Sequence, residues 1–509
     1  MNNTDVIDLF LTAATERSSH SAISLREDTI TYEVFEKRVR DFAGSFMYRQ
    51  ATGVLIALPQ GRDAYAAMLG AGLAGCYYAP LNVEAPIDKQ LRIVGLMHPA
   101  IIVAEPALGA MLAPAAPGAL ILSPQDSLGP PLIGRGSRHE IAYIIFTSGT
   151  TGTPKGVVIP RTALDHFIGW VRESKTITSD DRVPQFSNIA FDVSVTDIYG
   201  ALCSGATLYP VTGRSDRMFP ARVVAREKLT MWNSTPSVLS LMSWAGELTK
   251  HLLGTLRLIN TCGEPLLPTQ VSAIFAALPD VIVQNSYGPT ETTVTMTELR
   301  LSRHNYLPAC SNSVAIGSPI AGIDMFLLGG RHANEGEIVI TGAQLAMGYW
   351  NAPDRTAAVF KTIDVAGNPV RAYFSGDWAE RRDGHIFFKE RIDSQIKIRG
   401  FRLELAEVAS AIHECGYPVA CVLKWHDEVA AVIEQRPDQP CDETTLRAAL
   451  AKKLEMHAIP SVVRWVDLIP RTANDKLDHQ GVAAWLDAQE LAIPEISGLS
   501  AEAPAPHPR

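Results

Sequence analysis

The segment IIFTSGTTGTPKGVVIP, residues 144–160, joins an apolar, β-branched run to a cluster of glycines, hydroxyl side chains and one lysine. Small residues after a strand expose backbone N–H groups that can surround an anion. The Ser and Thr hydroxyls add donors and Lys155 adds a positive charge, so we expect this loop to bind a polyphosphate. A flexible surface turn is the alternative interpretation. The loop is not a Walker A sequence, because Pro154 rather than glycine precedes the lysine.

Short Val- and Ile-rich runs alternate with segments of helical spacing along most of the chain. GVLIALP (53–59), AIIVAEP (100–106) and LRLINTCGE (256–264) are typical of buried strands, whereas residues 62–75 and 268–278 have helical spacing. This alternation predicts an α/β fold with largely parallel sheets that are covered on both faces.

Composition changes near residue 390, where GHIFFKERIDSQIKIRGFRLELAEV (384–408) brings many charges into a short span. A smaller pattern of strands and helices follows. We predict a large N-terminal multi-sheet α/β domain over residues 1–391 and a small α+β C-terminal domain over residues 392–480. The Ala- and Pro-rich end predicts a partly disordered C-terminal extension over residues 481–509.

Composition and charge argue against several classes of protein. The 509 residues are 47% hydrophobic and 19% charged with a formal net charge of −9, which gives no electrostatic basis for binding nucleic acid. No apolar run reaches the roughly 20 residues that span a bilayer, and the N-terminus lacks the pattern of a signal peptide. The seven cysteines contain no CxxC pair, so neither a zinc site nor a disulfide framework is expected. We expect a cytoplasmic enzyme without membrane insertion.

Six segments in order resemble the signature sequences of adenylate-forming enzymes, which include acyl-CoA ligases, luciferases and nonribosomal-peptide adenylation domains. They are SGTTGTPKG, FDVSVTDIYGALCSGATL (191–208), NSYGPTETTV (285–294), GEIVITGAQLAMGYW (336–350), YFSGDWAERRDGHIFFKERIDSQIKIRGFRLELAEV (373–408) and PRTANDKLD (470–478). The resemblance covers nearly the whole chain. It implies the adenylate-forming fold, in which the small C-terminal domain is mobile and the N-terminal domain binds ATP and substrate.

The resemblance implies a reaction in two steps. A carboxylate is first joined to the α-phosphate of ATP with release of pyrophosphate, and the acyl group then passes to a thiol. Two unit charges of like sign about 4 Å apart repel by roughly 4 kcal/mol at an effective dielectric near 20, so the site must supply positive charge and fixed donors. By resemblance, Glu291 holds Mg²⁺, Asn285 and Tyr287 flank the adenine, and Asp377 and Arg391 lie at the ribose. The residues implied to bind ATP are Thr147, Ser148, Gly149, Thr150, Thr151, Gly152, Lys155, Asn285, Tyr287, Gly288, Thr290, Asp377 and Arg391.

Lys476 is a second lysine with an implied catalytic role, beside Lys155 and Glu291. By resemblance it reaches from the C-terminal domain to the substrate carboxylate and the α-phosphate, whereas the alternative is a solvated loop lysine. The family usually has glycine before this lysine, and this chain has Asp475. Aspartate tolerates a left-handed turn better than most residues, so we expect the loop to keep its shape.

Asp393 matches the hinge residue about which the C-terminal domain of this family rotates. The rotation is implied to withdraw Lys476 and to bring the loop around Lys397 and Gly400 to the cleft, where a thiol can enter. An ordinary salt bridge between domains is the alternative interpretation of Asp393.

Asp192 indicates which class of carboxylate is activated. In amino-acid-activating members of the family, an aspartate at this position pairs with the α-ammonium group of the substrate, and a buried carboxylate without such a partner is costly. The residues implied to bind the substrate are mostly small and several are polar: Asp192, Val193, Thr196, Ser237, Asn260, Cys262, Ser286, Val294 and Thr295.

Within the family, the chain is most similar to stand-alone D-alanine–carrier-protein ligases, in which the cysteine that corresponds to Cys262 lines the methyl side of the substrate. It departs from them at Val193, Thr196 and Asn260, which are smaller or more polar than the residues expected around D-alanine. Serine, threonine or another modest side chain therefore stays open, as does the enantiomer.

The thiol acceptor is expected to be a separate phosphopantetheinylated carrier protein, because the residues after Lys476 are too few for a carrier domain and lack its serine-bearing motif. A nonribosomal-peptide adenylation enzyme for another small or polar L-amino acid is the main alternative. An acyl-CoA ligase that uses free CoA is less favoured. A binding protein without activity ranks last, since none of Lys155, Glu291, Asp377 and Lys476 is lost.

Overall fold

The computed structural model describes residues 4–26, 28–126, 129–147, 154–392, 395–398, 400–435, 441–471 and 477–491. Its strands are β1 (Ser21–Leu25), β2 (Asp28–Thr31), β3 (Gly53–Ala57), β4 (Tyr77–Pro80), β5 (Ile101–Ala104), β6 (Leu120–Leu122), β7 (Ile141–Thr147), β8 (Lys155–Pro160), β9 (Arg182–Gln185), β10 (Thr207–Pro210), β11 (Met231–Ser234), β12 (Leu258–Cys262), β13 (Ile282–Tyr287), β14 (Thr297–Leu301), β15 (Ser318–Pro319), β16 (Ile323–Gly329), β17 (Glu335–Gly342), β18 (Gly348–Tyr349), β19 (Phe360–Val365), β20 (Asn368–Arg382), β21 (His385–Arg391), β22 (Gln395–Ile398), β23 (Phe401–Glu404), β24 (Ala420–Trp425), β25 (Glu428–Glu434) and β26 (Val462–Val466).

The helices between them are α1 (Val6–Glu16), α2 (Tyr32–Tyr48), α3 (Arg62–Ala74), α4 (Ile87–Met97), α5 (Pro106–Leu112), α6 (Arg161–Lys175), α7 (Val193–Leu202), α8 (Arg214–Met218), α9 (Pro220–Glu227), α10 (Pro236–Trp244), α11 (Lys250–Leu253), α12 (Pro268–Ala277), α13 (Pro353–Val359), α14 (Leu405–Glu414), α15 (Glu443–Leu450) and α16 (His479–Leu491). In the described part of the chain, no helix combines the length and the apolar character that crossing a membrane requires.

The described residues before 392 form four sheets. Their strand orders are β18-β8-β7-β4-β3-β5-β6, β2-β1-β10-β9, β11-β12-β13-β14-β15, and β16-β17-β20-β19 with β21 paired to β20. The strands β6, β5, β3, β4 and β7 are parallel, as are β11, β12 and β13, whereas β8 and β14 join these sheets in antiparallel pairs. The predicted α/β class is confirmed, but the expectation of largely parallel sheets is correct for only part of the fold. The sheet of β16, β17, β19, β20 and β21 is antiparallel throughout.

The apolar runs named from the sequence form strands where periodicity placed them. GVLIALP contains β3, AIIVAEP contains β5 and LRLINTCGE contains β12, and every residue of these three strands is buried. Helix α3 is buried around most of its circumference because it packs on α2 and on β3 and β4. A strand covered on both faces has no polar side to alternate with, which explains the unbroken hydrophobic runs.

The apolar clusters divide between the two ends of the chain. Among the residues that the structure describes, three clusters contain buried residues from Val6 to Phe387, and two further clusters contain buried residues from Ile398 to Leu486. The second group covers β22–β23, β24–β25–β26 and the helices packed on them. A domain boundary at residues 391–392 stays a proposal, and this partition supports it. Helix α16 continues past residue 480, and its Val482 and Leu486 are buried in the C-terminal group.

Candidate active site

The phosphate-loop candidate connects β7 to β8. Thr147 and Lys155 are register partners at the facing ends of these antiparallel strands. The hydroxyl oxygen of Thr147 is buried and has no hydrogen-bond partner among the described residues. Since buried polar atoms in folded proteins almost always have a partner, this hydroxyl fits a bound ligand. The predicted loop residues between the two strands lie outside the described residues: Ser148, Gly149, Thr150, Thr151 and Gly152.

Glu291 is the centre of a buried charge cluster. It lies in the 3-10 turn Thr290–Thr292, and its side chain is wholly shielded from solvent. Its Oε1 accepts a 2.8 Å hydrogen bond from the Tyr349 hydroxyl and lies 3.5 Å from Lys155 Nζ, while Oε2 accepts a 2.9 Å bond from Arg402 Nη1. Burial alone would raise the pKa of Glu291, but Arg402 and then Lys155 outweigh it and hold this pKa well below its usual range.

Lys155 is held beside the cluster by an aromatic ring. Its Nζ lies 5.1 Å from the centroid of the Tyr349 ring, within the range of a cation–π contact. Burial, with a further contribution from the charge of Arg402, lowers the pKa of Lys155 to about 8. The Lys155 ammonium is therefore mostly charged at pH 7 and loses its proton as the pH rises through about 8.

A second carboxylate cluster brings together three predicted nucleotide-binding residues. Asp377 Oδ1 accepts a 2.6 Å hydrogen bond from Arg391 Nη1, and its Oδ2 accepts a 2.5 Å bond from the Tyr287 hydroxyl. Asp377 and Arg391 are register partners on β20 and β21, so the sheet itself fixes this pair. Burial, followed by the charge of Asp377, raises the pKa of Tyr287 well above its usual value, so this phenol stays a hydrogen-bond donor.

Asn285 and Gly288 are fixed by close backbone contacts. The Asn285 amide donates to the Ala315 carbonyl at 2.9 Å and its Oδ1 accepts from Thr261 at 3.1 Å. A Cβ at Gly288 would lie 2.5 Å from the Val294 carbonyl oxygen, which leaves no room for a side chain. This glycine is therefore required by the path of the chain beside Tyr287, whatever it binds.

Asp192 stands immediately before α7, and its side chain does not cap that helix. It is half-buried, and burial raises its pKa, although the Thr290 hydroxyl and then the positive charge of Lys397 oppose this rise. The negative charge of Glu291 adds to the rise, so the two acidic groups share one electrostatic environment. A cation placed at Asp192 would stabilise its ionised form.

Five residues of the predicted side-chain pocket lie on three elements. Val193 and Thr196 lie in the first turns of α7, whereas Asn260 and Cys262 on β12 and Ser286 on β13 share one sheet face. The pairing Cys262–Ser286 places these two side chains next to each other, and Asp192 acts on the pKa of Cys262. The structure thus brings these residues together beside Asp192.

The turn after Glu291 adopts strained backbone angles. Thr293 and Val294 have φ values of 58° and 69°, both in the left-handed region, and both are buried. For a β-branched residue this conformation costs of order 1–3 kcal/mol and persists only where the surroundings enforce it. Here the Thr293 hydroxyl donates to the Gln344 carbonyl at 2.8 Å, and the next residue, Thr295, places its Oγ1 3.9 Å from Cys262 Sγ.

The β22–β23 hairpin of the C-terminal part reaches this cleft. Gly400 has φ +83°, and a Cβ there would lie 2.3 Å from Thr235 Cγ2. Thr235 Oγ1 in turn lies 2.9 Å from the hydroxyl of Ser237, the pocket residue at the start of α10. Lys397 from the same hairpin acts electrostatically on both Asp192 and Cys262.

Ion pairs hold the C-terminal part against the N-terminal body. Lys89 Nζ on α4 lies 2.8 Å from Glu455 Oε1 and 3.8 Å from Glu407 Oε1. Nearby, the Phe401 ring stacks on His457 with centroids 3.8 Å apart. The predicted hinge residue Asp393, the predicted catalytic residue Lys476 and its neighbour Asp475 lie outside the described residues.

The family model described as AMP-binding enzyme matches residues 10–350 of the chain. The chain belongs to the AMP-binding enzyme family. A D-alanine–D-alanyl carrier protein ligase of Staphylococcus epidermidis is 31% identical over 437 residues, which cover 82% of this chain and 86% of that ligase. An isonitrile lipopeptide synthase of Streptomyces coeruleorubidus is 30% identical over 514 residues, which cover 96% of this chain and 34% of that synthase.

The fold of this AMP-binding enzyme agrees with that of a solved adenylation domain. The crystal structure of Vibrio cholerae AlmE in complex with glycyl-adenosine-5'-phosphate has a TM-score of 0.81 and 24% sequence identity, and the match covers 95% of this chain and 98% of that one. The predicted adenylate-forming fold, with its large N-terminal body and small C-terminal domain, is confirmed.

Two residues of the Glu291 cluster received no role from the sequence. Arg402 and Tyr349 both lie inside segments that resemble the family, but nothing in their spacing indicates contact with a carboxylate. Within the described ranges, no group of three His, Cys, Asp or Glu side chains is arranged to hold a metal ion. Glu291 supplies one carboxylate, so a metal ion bound there would need further oxygen ligands, such as those of phosphate groups.

Proposed function

We propose that this AMP-binding enzyme joins the carboxylate of a small amino acid to the α-phosphate of ATP. It then passes the aminoacyl group to the phosphopantetheine thiol of a carrier protein. The D-alanine–D-alanyl carrier protein ligase relatives at about the same length support both halves of this proposal. An adenylation enzyme of the nonribosomal-peptide type, acting on another small or polar amino acid, is the alternative that the synthase relative supports.

The observation that carries the proposal is the position of Asp192. Its carboxylate shares an electrostatic environment with Glu291, which itself contacts Lys155. A zwitterion can therefore place its ammonium group at Asp192 and its carboxylate toward the cationic side of the cleft. Fatty and aryl acids have no such ammonium group, so an acyl-CoA ligase is less favoured.

The residues present fit ATP and Mg²⁺. The Thr147 hydroxyl, which has no hydrogen-bond partner among the described residues, and the Lys155 ammonium lie at the ends of the phosphate-loop candidate. Glu291 would supply one carboxylate to a magnesium ion that phosphate groups also hold. A bound magnesium ion would neutralise phosphate charge. The Asp377 carboxylate would hold the ribose hydroxyls, with Arg391 and Tyr287 fixing its orientation.

The first step forms a bond between a substrate carboxylate oxygen and the α-phosphorus, and the bond to the pyrophosphate oxygen breaks. Lys155 would stabilise charge on the departing pyrophosphate, and Lys476 would stabilise the meeting of carboxylate and α-phosphate. In the second step the thiolate attacks the carbonyl carbon, a thioester forms and AMP leaves. The close contact between Gly400 and Thr235 supports a role for the β22–β23 hairpin beside the entering thiol.

Pyrophosphate exchange tests the first step. The protein with ATP, Mg²⁺ and labelled pyrophosphate is offered glycine, each small amino acid in both enantiomers, and a set of fatty and aryl acids. We expect exchange with at least one small amino acid and none with the acids that lack an α-ammonium group. Exchange with those acids alone would overturn the proposal.

Carrier loading tests the second step. A phosphopantetheinylated carrier protein is supplied in trans with the amino acid that supports exchange, and free CoA is supplied in a parallel reaction. We expect a covalent aminoacyl-carrier by intact-mass measurement. Efficient formation of aminoacyl-CoA with no loading of any carrier would favour the CoA ligase instead.

A further inference from the structure

A chain of four buried polar side chains leads from α7 into the predicted substrate pocket. Asp197 Oδ1 accepts a 2.9 Å hydrogen bond from Asn233 Nδ2, and Asn233 Oδ1 accepts a 2.6 Å bond from Asn260 Nδ2. Asn260 Oδ1 accepts a 2.9 Å bond from the Ser286 hydroxyl. All four side chains belong to residues that are at least 94% buried, so water does not compete for these bonds.

Asp197, at the end of the chain away from the pocket, determines which group donates and which accepts in each hydrogen bond. Asp197 Oδ1 can only accept, so Asn233 must turn its amide nitrogen toward it and its oxygen toward Asn260. Asn260 must then present nitrogen to Asn233 and oxygen to Ser286. The Ser286 hydroxyl therefore donates its only proton to Asn260. Toward any other group, the Ser286 oxygen can act only as a hydrogen-bond acceptor.

Lys175 stands beside the fixed end of the chain. Lys175 Nζ and Asp197 Oδ2 are both buried without a hydrogen-bond partner among the described residues, and both residues line a cavity of about 10 Å³. This volume is near the lower limit for one water molecule, which can accept from the ammonium and donate to the carboxylate. Thr196 and Asn260 line the same cavity, so the charged pair lies directly beneath the pocket.

The orientation holds in either protonation state of the pair. Burial raises the pKa of Asp197 to about 8 and lowers the pKa of Lys175 to about 8, so Asp197 can be protonated or ionised near neutral pH. A proton on Asp197 resides on Oδ2, which is the oxygen without a partner, and Oδ1 remains an acceptor.

Ser286 is the end of the chain of hydrogen bonds, and it is one of the residues of the predicted substrate pocket. It neighbours Cys262 across β12 and β13, and Cys262 lies in the electrostatic range of Asp192. We propose that Asp197, acting through Asn233 and Asn260, fixes Ser286 as a hydrogen-bond acceptor, so that the preferred substrate is a small amino acid whose side chain carries a hydrogen-bond donor such as a hydroxyl. This inference rests on the proposed amino-acid activation, and it makes Asp197 and Lys175 positioning residues.

Substrate isosteres test the inference on the unmodified protein. Serine and 2-aminobutyrate have nearly the same size and differ by a hydroxyl in place of a methyl group, and alanine lacks the group altogether. In pyrophosphate exchange we expect kcat/KM for serine, in its preferred enantiomer, to exceed that for 2-aminobutyrate and alanine by about tenfold or more. Equal or better use of alanine, glycine or 2-aminobutyrate overturns the inference and leaves the proposed function standing. Exchange with no amino acid overturns both.

The double variant Lys175→Met/Asp197→Leu tests the positioning role, because it removes both buried charges together and leaves neither unpaired. We expect its serine-to-alanine ratio of kcat/KM to fall toward one, since the amide chain can then reverse. The control is Arg38→Met/Asp63→Leu, which removes an ion pair of 2.8 Å between α2 and α3 and should keep the ratio. A wild-type ratio in the first variant overturns the role of the pair. If that variant does not fold, Asn233→Leu interrupts the same chain and must lower the same ratio.

Discussion

Replacement of Arg402 by methionine should change the magnesium dependence of the first half-reaction. Arg402 Nη1 lies 2.9 Å from Glu291 Oε2, one of the two carboxylate oxygens through which Glu291 could hold a metal ion. At this distance and an effective dielectric near 20, the attraction between the two charges is about 6 kcal/mol before desolvation is counted. Arg402 would therefore compete with a metal ion for the charge of Glu291.

The size of the effect follows from how much of this attraction survives desolvation. Removal of one partner from a buried pair typically costs about 3–5 kcal/mol, but here Lys155 and Tyr349 still contact the carboxylate and reduce that figure. If Arg402 weakens metal binding at Glu291 by about 1.4 kcal/mol, removal of Arg402 strengthens that binding tenfold. We expect the Mg²⁺ concentration for half-maximal pyrophosphate exchange to fall by about tenfold in Arg402→Met.

The assay is pyrophosphate exchange at saturating ATP and amino acid over a magnesium titration. Arg464→Met is the matched control, because Arg464 is an exposed arginine in the same C-terminal part, on β26. Its titration should match that of the unmodified protein. An unchanged or higher half-saturating concentration in Arg402→Met would refute the competition between this arginine and the metal ion.

Four further outcomes are expected. The kcat/KM for ATP should fall as pH rises through about 8, because deprotonation of Lys155 removes a charge from the free enzyme; a flat profile from pH 7 to 9.5 would exclude Lys155 from phosphate binding. Asp192→Ala should lower kcat/KM for the amino acid by ~10²–10³ with little effect on KM for ATP, and equal losses for both substrates would indicate a structural role instead. Lys476→Ala should lower the exchange rate by ~10²–10³, and an unchanged rate would remove this lysine from the mechanism. Gly400→Ala should slow carrier loading more than exchange, because its Cβ would lie 2.3 Å from Thr235 Cγ2 at φ +83°; equal slowing of both steps would count against a role in transfer.

Those parts of the site that are built from consecutive residues could be predicted from the sequence. The run that ends at Lys155 predicted both a strand and a ligand loop, and β7 and β8 flank that loop. Asp377 and Arg391 were both assigned to the ribose by resemblance, and the structure adds that they are register partners. Periodicity likewise located β3, which is buried on both faces.

The contacts that escaped prediction join residues far apart in the chain or depend on local strain. Arg402 and Glu291 are separated by 111 positions, so no periodicity relates them. The buried Lys175 has no sequence signal, because most lysines are solvated and only tertiary packing decides otherwise. The left-handed Val294 contradicts the intrinsic preference of valine, and such exceptions arise from surroundings that the local sequence does not contain.

The ion pairs of Lys89 with Glu455 and Glu407 give ionic strength a role in the proposed catalytic cycle. All three side chains are at most 17% exposed while the two parts of the chain are in contact. A rotation of the C-terminal part would release them into water, where counterions screen charges beyond about 8 Å at 0.15 M salt. Added salt would then stabilise the separated charges more than the paired ones, so the balance between amino-acid activation and thiol loading would shift with the electrolyte around the enzyme.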